Sequence, residues 1–276
     1  MPSSGSTDIP HVSVHDHFIR KPITKKEKDK IKTFIGLYCI NEKQPDSLTK
    51  ARAYLQQYEK FEQNVSFLDS AKKYLNDKSS LEKNIYVLLQ LHFMKHDYSK
   101  IISYINTLGE EKCFTKIFIY KSYDNKDAWA CYQIAEAFYN TQKLQKAIHW
   151  FEKSSELAPY NLEFRNKYGA SLAANNQLQL AEKQFEFVFN ENPKNISVYV
   201  SLGYLKLMQN KPKEAFELYQ KGLVLSPDYE PLLLNLAGYY AIVKDYKNTK
   251  LVLEKILKKN PMNRQAKMAL QQLMRS

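Results

Sequence analysis

From about residue 45 onward, apolar residues recur at three- and four-residue steps within segments of helix length. In residues 127–140 (DAWACYQIAEAFYN) and 144–157 (LQKAIHWFEKSSEL), this spacing places the apolar side chains on one face of each helix. Short breaks separate the segments, and the 276 residues include only 7 Gly and 10 Pro. The pattern therefore predicts pairs of amphipathic helices rather than a sheet protein with many tight turns.

Four prolines mark a repeat, each standing 34 positions after the one before: Pro159, Pro193, Pro227 and Pro261. Large apolar residues stand eight positions before each proline: Phe151, Phe185, Tyr219 and Leu253. Small residues stand 24 positions before each proline: Ala135, Gly169, Gly203 and Ala237. We expect the small residues to let the two helices of a unit approach closely while the large residue fills the gap above them. The proline ends the second helix because it has no N–H to donate.

These residues resemble the tetratricopeptide repeat pattern, which is W-x2-L-G-x2-Y, then A-x3-F, then P, over residues 128–261. The resemblance implies an all-α fold, an α-solenoid of antiparallel helix pairs wound into a right-handed superhelix. The implied repeats are residues 128–161, 162–195, 196–229 and 230–263, followed by a capping helix at 263–274. The sequence departs from the pattern at Cys131, Arg165, Tyr199 and Leu233, which replace Trp, at Lys206, which replaces Tyr, and at Thr249, which replaces Ala.

Upstream of these units the period of the repeat fades. Residues 81–97 with 98–108, and residues 47–61 with 65–75, are interpreted as further helix pairs. The expected organisation is an extended, histidine-containing tail at 1–24, diverged helical repeats at 25–126, and four repeats with a capping helix at 127–276.

The resemblance also implies a concave groove lined by the second, fifth, ninth and twelfth positions of the first helix in each repeat. A groove of this kind binds a partner segment through apolar anchors, so we expect a protein or peptide partner. About half of the aromatic positions are alternatively interpreted as packing inside the solenoid. A receptor for a chaperone tail is not expected, because only Asn166, Lys167 and Asn235 match the carboxylate clamp of such receptors. The candidate groove residues are Trp129, Tyr132, Glu136, Tyr139, Asn166, Tyr204, Leu207 and Leu234.

No catalytic motif accompanies the repeats: there is no GxSxG, no glycine-rich phosphate loop and no HExxH. We therefore expect no enzymatic activity and no metal site. His92 and His96 are four positions apart and have metal-competent spacing on a helix, but no third ligand is evident. Cys131 is interpreted as a packed core thiol rather than as a nucleophile served by His149.

The net charge of +12 is concentrated in two segments. Residues 20–32 hold seven basic and two acidic residues, and residues 244–275 hold nine basic and two acidic residues. We interpret these basic segments as helix faces exposed to solvent; the alternative is that they bind an anionic partner. Nucleic-acid binding is not expected, because no aromatic interleaving and no known module accompany the charge. Residues 231–243 form the longest mainly apolar stretch, which is shorter than the ~20 residues that a membrane-spanning helix needs. No secretory signal is visible, so the chain as written is expected in the cytoplasm.

The N-terminal stretch 1–22 contains three histidines within seven positions, His11, His15 and His17. Pro10 and Pro22 bracket them, which favours extended chain over helix. The stretch MPSSGSTDIPHVSVHDHFIRKP resembles the segment after the last haem motif of multihaem cytochromes c with C-terminal tetratricopeptide repeats. The resemblance implies that these histidines are distal ligands to haem c supplied from outside a chain that has no CxxCH motif. The alternative function is therefore the repeat domain of an exported electron-transfer protein, which would be periplasmic.

Overall fold

A computed structural model describes residues 36–39, 44–75, 81–119 and 125–274, together with the backbone of 3–5 and 13–15. By its internal contacts the chain divides into two units, residues 1–45 and 46–276. In the first unit, strands β1 (Ser3–Gly5) and β2 (Ser13–His15) pair antiparallel, with Ser3 opposite His15. The chain is extended at these two stretches, as predicted. The contacts divide the chain at residue 45, whereas the sequence places the end of the tail at residue 24; residues 25–35 and 40–43 lie outside the described residues, so the start of the diverged repeats stays a prediction.

The described part of the second unit is helical throughout, and consecutive helices pack as antiparallel pairs. The long helices are α1 (Ser47–Lys60), α2 (Val65–Leu75), α3 (Leu81–Met94), α4 (Tyr98–Leu108), α5 (Lys126–Asn140), α6 (Leu144–Leu157), α7 (Leu162–Ala174), α8 (Leu178–Glu191), α9 (Ile196–Met208), α10 (Pro212–Leu225), α11 (Glu230–Ile242), α12 (Tyr246–Lys259) and α13 (Arg264–Leu273). Of the last nine helices, two lie within each span assigned to a repeat and one lies at the capping segment. The first four confirm the two helix pairs predicted upstream.

Small residues allow the close approach of paired helices, as the sequence indicated. A methyl group placed on Gly169 would lie 2.5 Å from the Phe185 ring, and one on Gly203 would lie 2.2 Å from the Tyr219 ring. Both rings are completely or almost completely buried. In both helix pairs, α7 with α8 and α9 with α10, the small residue of the first helix therefore makes room for the large ring of the second.

A left-handed residue joins the two helices of each repeat. Its backbone φ is near +60° at Gln142, Asn176, Asn210 and Lys244, which recur every 34 positions. The next residue donates its N–H to a carbonyl five residues earlier, as Lys211 does to Lys206 at 2.8 Å. This hydrogen bond satisfies an otherwise unpaired carbonyl at the end of the first helix. The turn residue thus has a backbone conformation that glycine adopts most easily, although none of these four positions is a glycine.

Replacing Lys244 with glycine is expected to stabilise the fold by about 0.5–1 kcal/mol, because a non-glycine residue is strained at φ 61°. Thermal and urea unfolding followed by circular dichroism measure the change. Asn210→Gly is the control and should change stability less, since asparagine tolerates the left-handed region better than lysine does. Equal gains from both substitutions, or a loss from Lys244→Gly, would contradict the strain at Lys244.

Three of the proline carbonyls that precede the repeats accept a hydrogen bond from a side chain. Arg165 Nε donates to the carbonyl of Pro159 at 2.8 Å, and Tyr199 Oη donates to that of Pro193 at 2.8 Å. Leu233 has no donor, and Lys255 Nζ from α12 reaches the carbonyl of Pro227 at 2.8 Å instead. Each of these turns therefore keeps a satisfied carbonyl despite the change of side chain.

An insertion interrupts the period between the second and third helix pairs. His96 has the same left-handed backbone (φ 54°) but lies 46 positions before Gln142, twelve more than one repeat. The extra length contains a short helical turn at Glu110–Lys112 and a π-helical turn at Cys113–Ile117. Phe114 and Phe118 from this segment pack on Trp150 of α6, so the insertion is held against the third helix pair.

Candidate functional site

The first helices of successive repeats line a groove, which we term the central groove, with a volume of about 410 Å³. Its walls come from α5, α7 and α9, and its far end from the start of α11. The predicted positions Glu136, Tyr139 and Asn166 lie together here. The lining residues are Glu136, Tyr139, Phe151, Asn166, Lys167, Ala170, Ser197, Val200, Ser201, Tyr229 and Pro231.

The lining of the central groove contains both apolar and polar side chains. Ala170, Val200 and Pro231 supply apolar surface to the groove. Lys167 Nζ forms an ion pair of 2.8 Å with Glu136 Oε1, so the two charges compensate each other. Burial raises the pKa of Tyr139, which keeps its hydroxyl protonated as a hydrogen-bond donor. The lining of the groove is therefore nearly neutral and combines apolar with polar side chains.

An acceptor in the central groove lacks a partner. Asn166 Oδ1 is buried and makes no hydrogen bond to any described residue. A buried amide oxygen left in this state costs about 1–3 kcal/mol, so a rearrangement that supplies a donor would be favoured. Asn166 therefore borders the groove as a polar residue whose amide oxygen is enclosed by the protein.

The prediction that Tyr132 lines an open groove is wrong. Only 4% of this residue is exposed, and its ring stacks on Phe164 with the centroids 4.8 Å apart. Its hydroxyl donates to Glu163 at 2.9 Å, and burial raises its pKa. Trp129 packs edge-on against both rings and stays 42% exposed. The fifth position of this first helix points between α5 and α7, because Phe164 of the next repeat draws the ring into the core.

The remaining predicted residues are spread along the solenoid. Tyr204 and Leu207 lie on α9 outside the central groove; Tyr204 is about half exposed, and Leu207 packs against the buried cluster of the neighbouring helices. Leu234 lines a different groove farther along. The candidate groove residues omitted Ser201, and Lys167 was considered only as a match to the carboxylate clamp; both hold the sixth position of their repeats. Their identical repeat position is the signal that would have found them.

A second groove, which we term the terminal groove, lies between α11, α12 and α13 and has a volume of about 610 Å³. Small residues of α11 and α13 leave the space open, and a methyl group added to Gly238 would meet nothing within 4 Å. The lining residues are Leu234, Ala237, Gly238, Ala241, Tyr246, Thr249, Leu253, Gln265, Ala269, Gln272 and Leu273. None of them is charged.

The two histidines with metal-competent spacing do not share a helix face. Helix α3 ends at Met94, and His96 occupies the left-handed turn that follows. His92 is buried and bonded on both sides: its Nδ1 lies 3.1 Å from Asp97 Oδ2, and Tyr104 Oη lies 3.1 Å from its Nε2. In the part of the chain that the structure describes, no group of three or more His, Cys, Asp or Glu side chains forms a metal site.

Lowering the pH from about 7 to about 5 is expected to destabilise the fold partly through His92. Burial lowers the pKa of His92, outweighing Asp97, which favours the charged form, and Lys100 and Lys72 lower it further. A depressed pKa in the folded state means that the stability present at neutral pH is lost as His92 protonates. Urea unfolding of the His92→Gln variant should show a smaller decrease in free energy over this range.

His96→Gln serves as the control for that measurement, because His96 is exposed and bonded only to the Tyr98 hydroxyl. It should keep the pH dependence of the unchanged protein. An identical decrease in His92→Gln would contradict a role for this imidazole.

Cys131 is a core residue, as interpreted from the sequence. It is fully buried, and burial raises the pKa of its thiol. His149 stacks on Phe114 with the ring centroids 4.0 Å apart. The protonated, enclosed thiol is unsuited to nucleophilic chemistry.

The haem-ligand prediction concerns residues beyond the structural description. His11 and His17 lie outside the described residues, and His15 is described only by its backbone in β2. The role of these histidines, and with it haem c as a cofactor, stays a prediction.

Among solved structures, the chain is similar to TTC0263, a thermophilic TPR protein in Thermus thermophilus. The two are 14% identical, the match covers 71% of this chain and 100% of that one, and the TM-score is 0.56. The chain has the tetratricopeptide repeat fold. MamA from Desulfovibrio magneticus RS-1, residues 41 to the end, is 21% identical over 68% of this chain and 98% of its own, with a TM-score of 0.48. No protein-family model and no curated protein sequence matches the chain.

The tetratricopeptide fold explains the position of both grooves. Successive repeats place their first helices side by side, and side chains from consecutive repeats therefore line continuous surface. None of the helices in the described residues combines the length and apolarity required to cross a bilayer.

Proposed function

We propose that the chain is a non-enzymatic scaffold that binds an extended segment of a partner protein in the central groove. The size and lining of the central groove carry this proposal, because about 410 Å³ of space bordered by both apolar and polar side chains suits an extended peptide. Ala170 and Val200 offer an apolar seat for a side chain of the partner, and Asn166 and Ser201 lie beside it as polar groups. The balanced Glu136–Lys167 pair means that the peptide need not carry net charge.

Peptide binding is tested with a phage-displayed library of random 16-residue peptides selected on the folded chain. We expect Val200→Arg to weaken the binding of synthesised hits at least about tenfold, because a bulky charge then fills the apolar seat. Fluorescence anisotropy measures the affinity, and circular dichroism checks that the variant is folded. Ser201→Arg is a second groove variant that tests the same wall without altering the valine.

Val224→Arg is the matched control, since Val224 is 83% exposed on α10 and lies outside the central groove. Its affinity for the hits should stay within about twofold of the unchanged chain, well under 1 kcal/mol. The proposal fails if folded Val200→Arg and Ser201→Arg bind every hit as well as Val224→Arg does, or if the library yields no hit.

A further inference from the structure

Helix α12 carries a charge unlike that of the second helices of the other three repeats. It contains five lysines and one glutamate, whereas α6 and α10 each contain two lysines and two glutamates, and α8 contains one lysine and three glutamates. Mixed charge is sufficient to keep the faces of those three helices solvated. The excess of lysine on α12 therefore indicates a role beyond solubility.

Most lysines of α12 lie on the side opposite its buried residues. Lys247, Leu251 and Lys258 are separated by four and then seven positions, so helical geometry places them in one row. All three are exposed, and none of them lines the central or the terminal groove. We term this surface the lysine face; it consists of Lys247, Lys250, Leu251, Glu254, Lys255 and Lys258.

The acids near the lysine face compensate only part of its charge. Lys247 and Lys258 form no ion pair with any described residue. Glu254 is the only acid of α12, and it pairs with Lys250 across 3.8 Å. The remaining two lysines of the helix share a single carboxylate, that of Asp228. The face therefore keeps a net positive charge and attracts an anionic partner.

The side chains of the lysine face favour an extended anionic surface over a single charged ligand. Its cations are all lysines, which act as point charges, and it lacks the arginine fork that binds one phosphate or carboxylate at two points. It also lacks aromatic rings on which nucleic-acid bases stack, because the aromatic residue of α12, Tyr246, lines the terminal groove instead.

An exposed apolar residue stands within this positive surface. Leu251 is 53% exposed and lies in the row between Lys247 and Lys258. Cations around an apolar side chain suit the surface of a bilayer, where the cations meet anionic headgroups and the apolar group enters the headgroup region. A second copy of the chain would instead be repelled, since it brings its own charge of +12.

We propose that the lysine face docks the protein on a membrane surface that contains anionic lipid. This function goes beyond peptide binding and does not depend on it, because the face lies outside both grooves.

Co-sedimentation with lipid vesicles tests the proposal. The chain should bind vesicles of phosphatidylcholine with about 30% phosphatidylserine at least about tenfold more tightly than vesicles of phosphatidylcholine alone. Binding should weaken as salt is raised from about 0.05 to about 0.3 M, because screening reduces the attraction.

Charge reversal locates the docking surface. Lys247→Glu with Lys258→Glu should weaken binding to the anionic vesicles at least about tenfold, since both side chains then repel the headgroups. Lys213→Glu with Lys221→Glu on α10 is the matched control, because it changes the net charge equally at two exposed lysines of the preceding repeat. Its affinity should stay within about threefold of the unchanged chain. Circular dichroism checks that both variants are folded.

Leu251→Gln separates a lipid surface from other polyanions, because it removes the apolar group and keeps the charge. It should weaken binding to the anionic vesicles at least about threefold and leave binding to a DNA duplex of about 20 base pairs unchanged.

Three outcomes would overturn the proposal. They are equal binding to the two kinds of vesicle, equal losses in the Lys247 and Lys213 double variants, and tighter binding to the DNA duplex or to polyglutamate than to the anionic vesicles. Failure here is separable from failure of the central groove, since Val200→Arg should bind the anionic vesicles normally.

Discussion

Trp150→Ala is expected to lower the free energy of unfolding by about 3–5 kcal/mol, the range typical of a fully buried aromatic residue replaced by alanine. Trp150 has no exposed surface, and Phe114 and Phe118 pack edge-on against it at centroid distances of 5.3 and 6.0 Å. Its Nε1 donates to Glu110 Oε1 at 3.2 Å. The substitution therefore leaves a cavity and releases the insertion from the third helix pair.

The chain contains a matched control in its second tryptophan. Trp129→Ala removes the same side chain from a position that is 42% exposed, so it should cost about half as much or less. Trp150→Phe keeps most of the volume but removes the donor to Glu110, and should fall between the unchanged chain and Trp150→Ala. Urea unfolding followed by circular dichroism compares the three variants. Equal losses at both tryptophans would show that Trp150 does not hold the insertion.

Gly203→Ala is expected to destabilise the fold by about 1–3 kcal/mol, although alanine has the higher helix propensity. The added methyl group would lie 2.2 Å from the Tyr219 ring, and that ring is fully buried. Separation of α9 from α10, or displacement of the ring, is the only way to relieve such a contact, and either loses packing. The same unfolding measurement yields the change in stability.

Gly238→Ala separates the steric effect from helix propensity. Gly238 also lies within a first helix, but a methyl group there meets nothing within 4 Å. This variant should be unchanged or stabilised by up to about 1 kcal/mol, because alanine is preferred over glycine in helices. If Gly203→Ala is as stable as Gly238→Ala, the small residue at position 203 is not required for helix approach.

Local pattern predicted the repeats well because the interactions that define them lie within a single repeat. Gly203 and Tyr219 belong to one helix pair and are 16 positions apart, so their sizes can be matched by inspection of the sequence. The sequence did not predict the left-handed turns, because Gln142 and Lys244 occupy positions where only a glycine would have indicated them. It did not predict the packing of the insertion either, because Trp150 and Glu110, which are in contact, are 40 positions apart in the chain.

Groove residues were harder to predict than core residues. On a helix, neighbouring positions differ by about 100°, so a side chain at the groove margin can turn either to solvent or to the core. Glu136 and Tyr132 both occupied predicted groove positions and both are largely buried, yet only Glu136 borders the central groove. The difference arises from Phe164, which belongs to the next repeat and offers Tyr132 a stacking partner.

The amino-acid sequence by itself determined the helix pairs, their regular period and the match of small to large residues, because helical periodicity and short-range packing are properties of consecutive residues. Only the tertiary structure decided which polar groups remain without partners and where surface stays open. Asn166 Oδ1 is unbonded, and the space above Gly238 is empty, because of the helices that neighbour them. Such features depend on the simultaneous placement of several helices, which no local pattern of residues specifies.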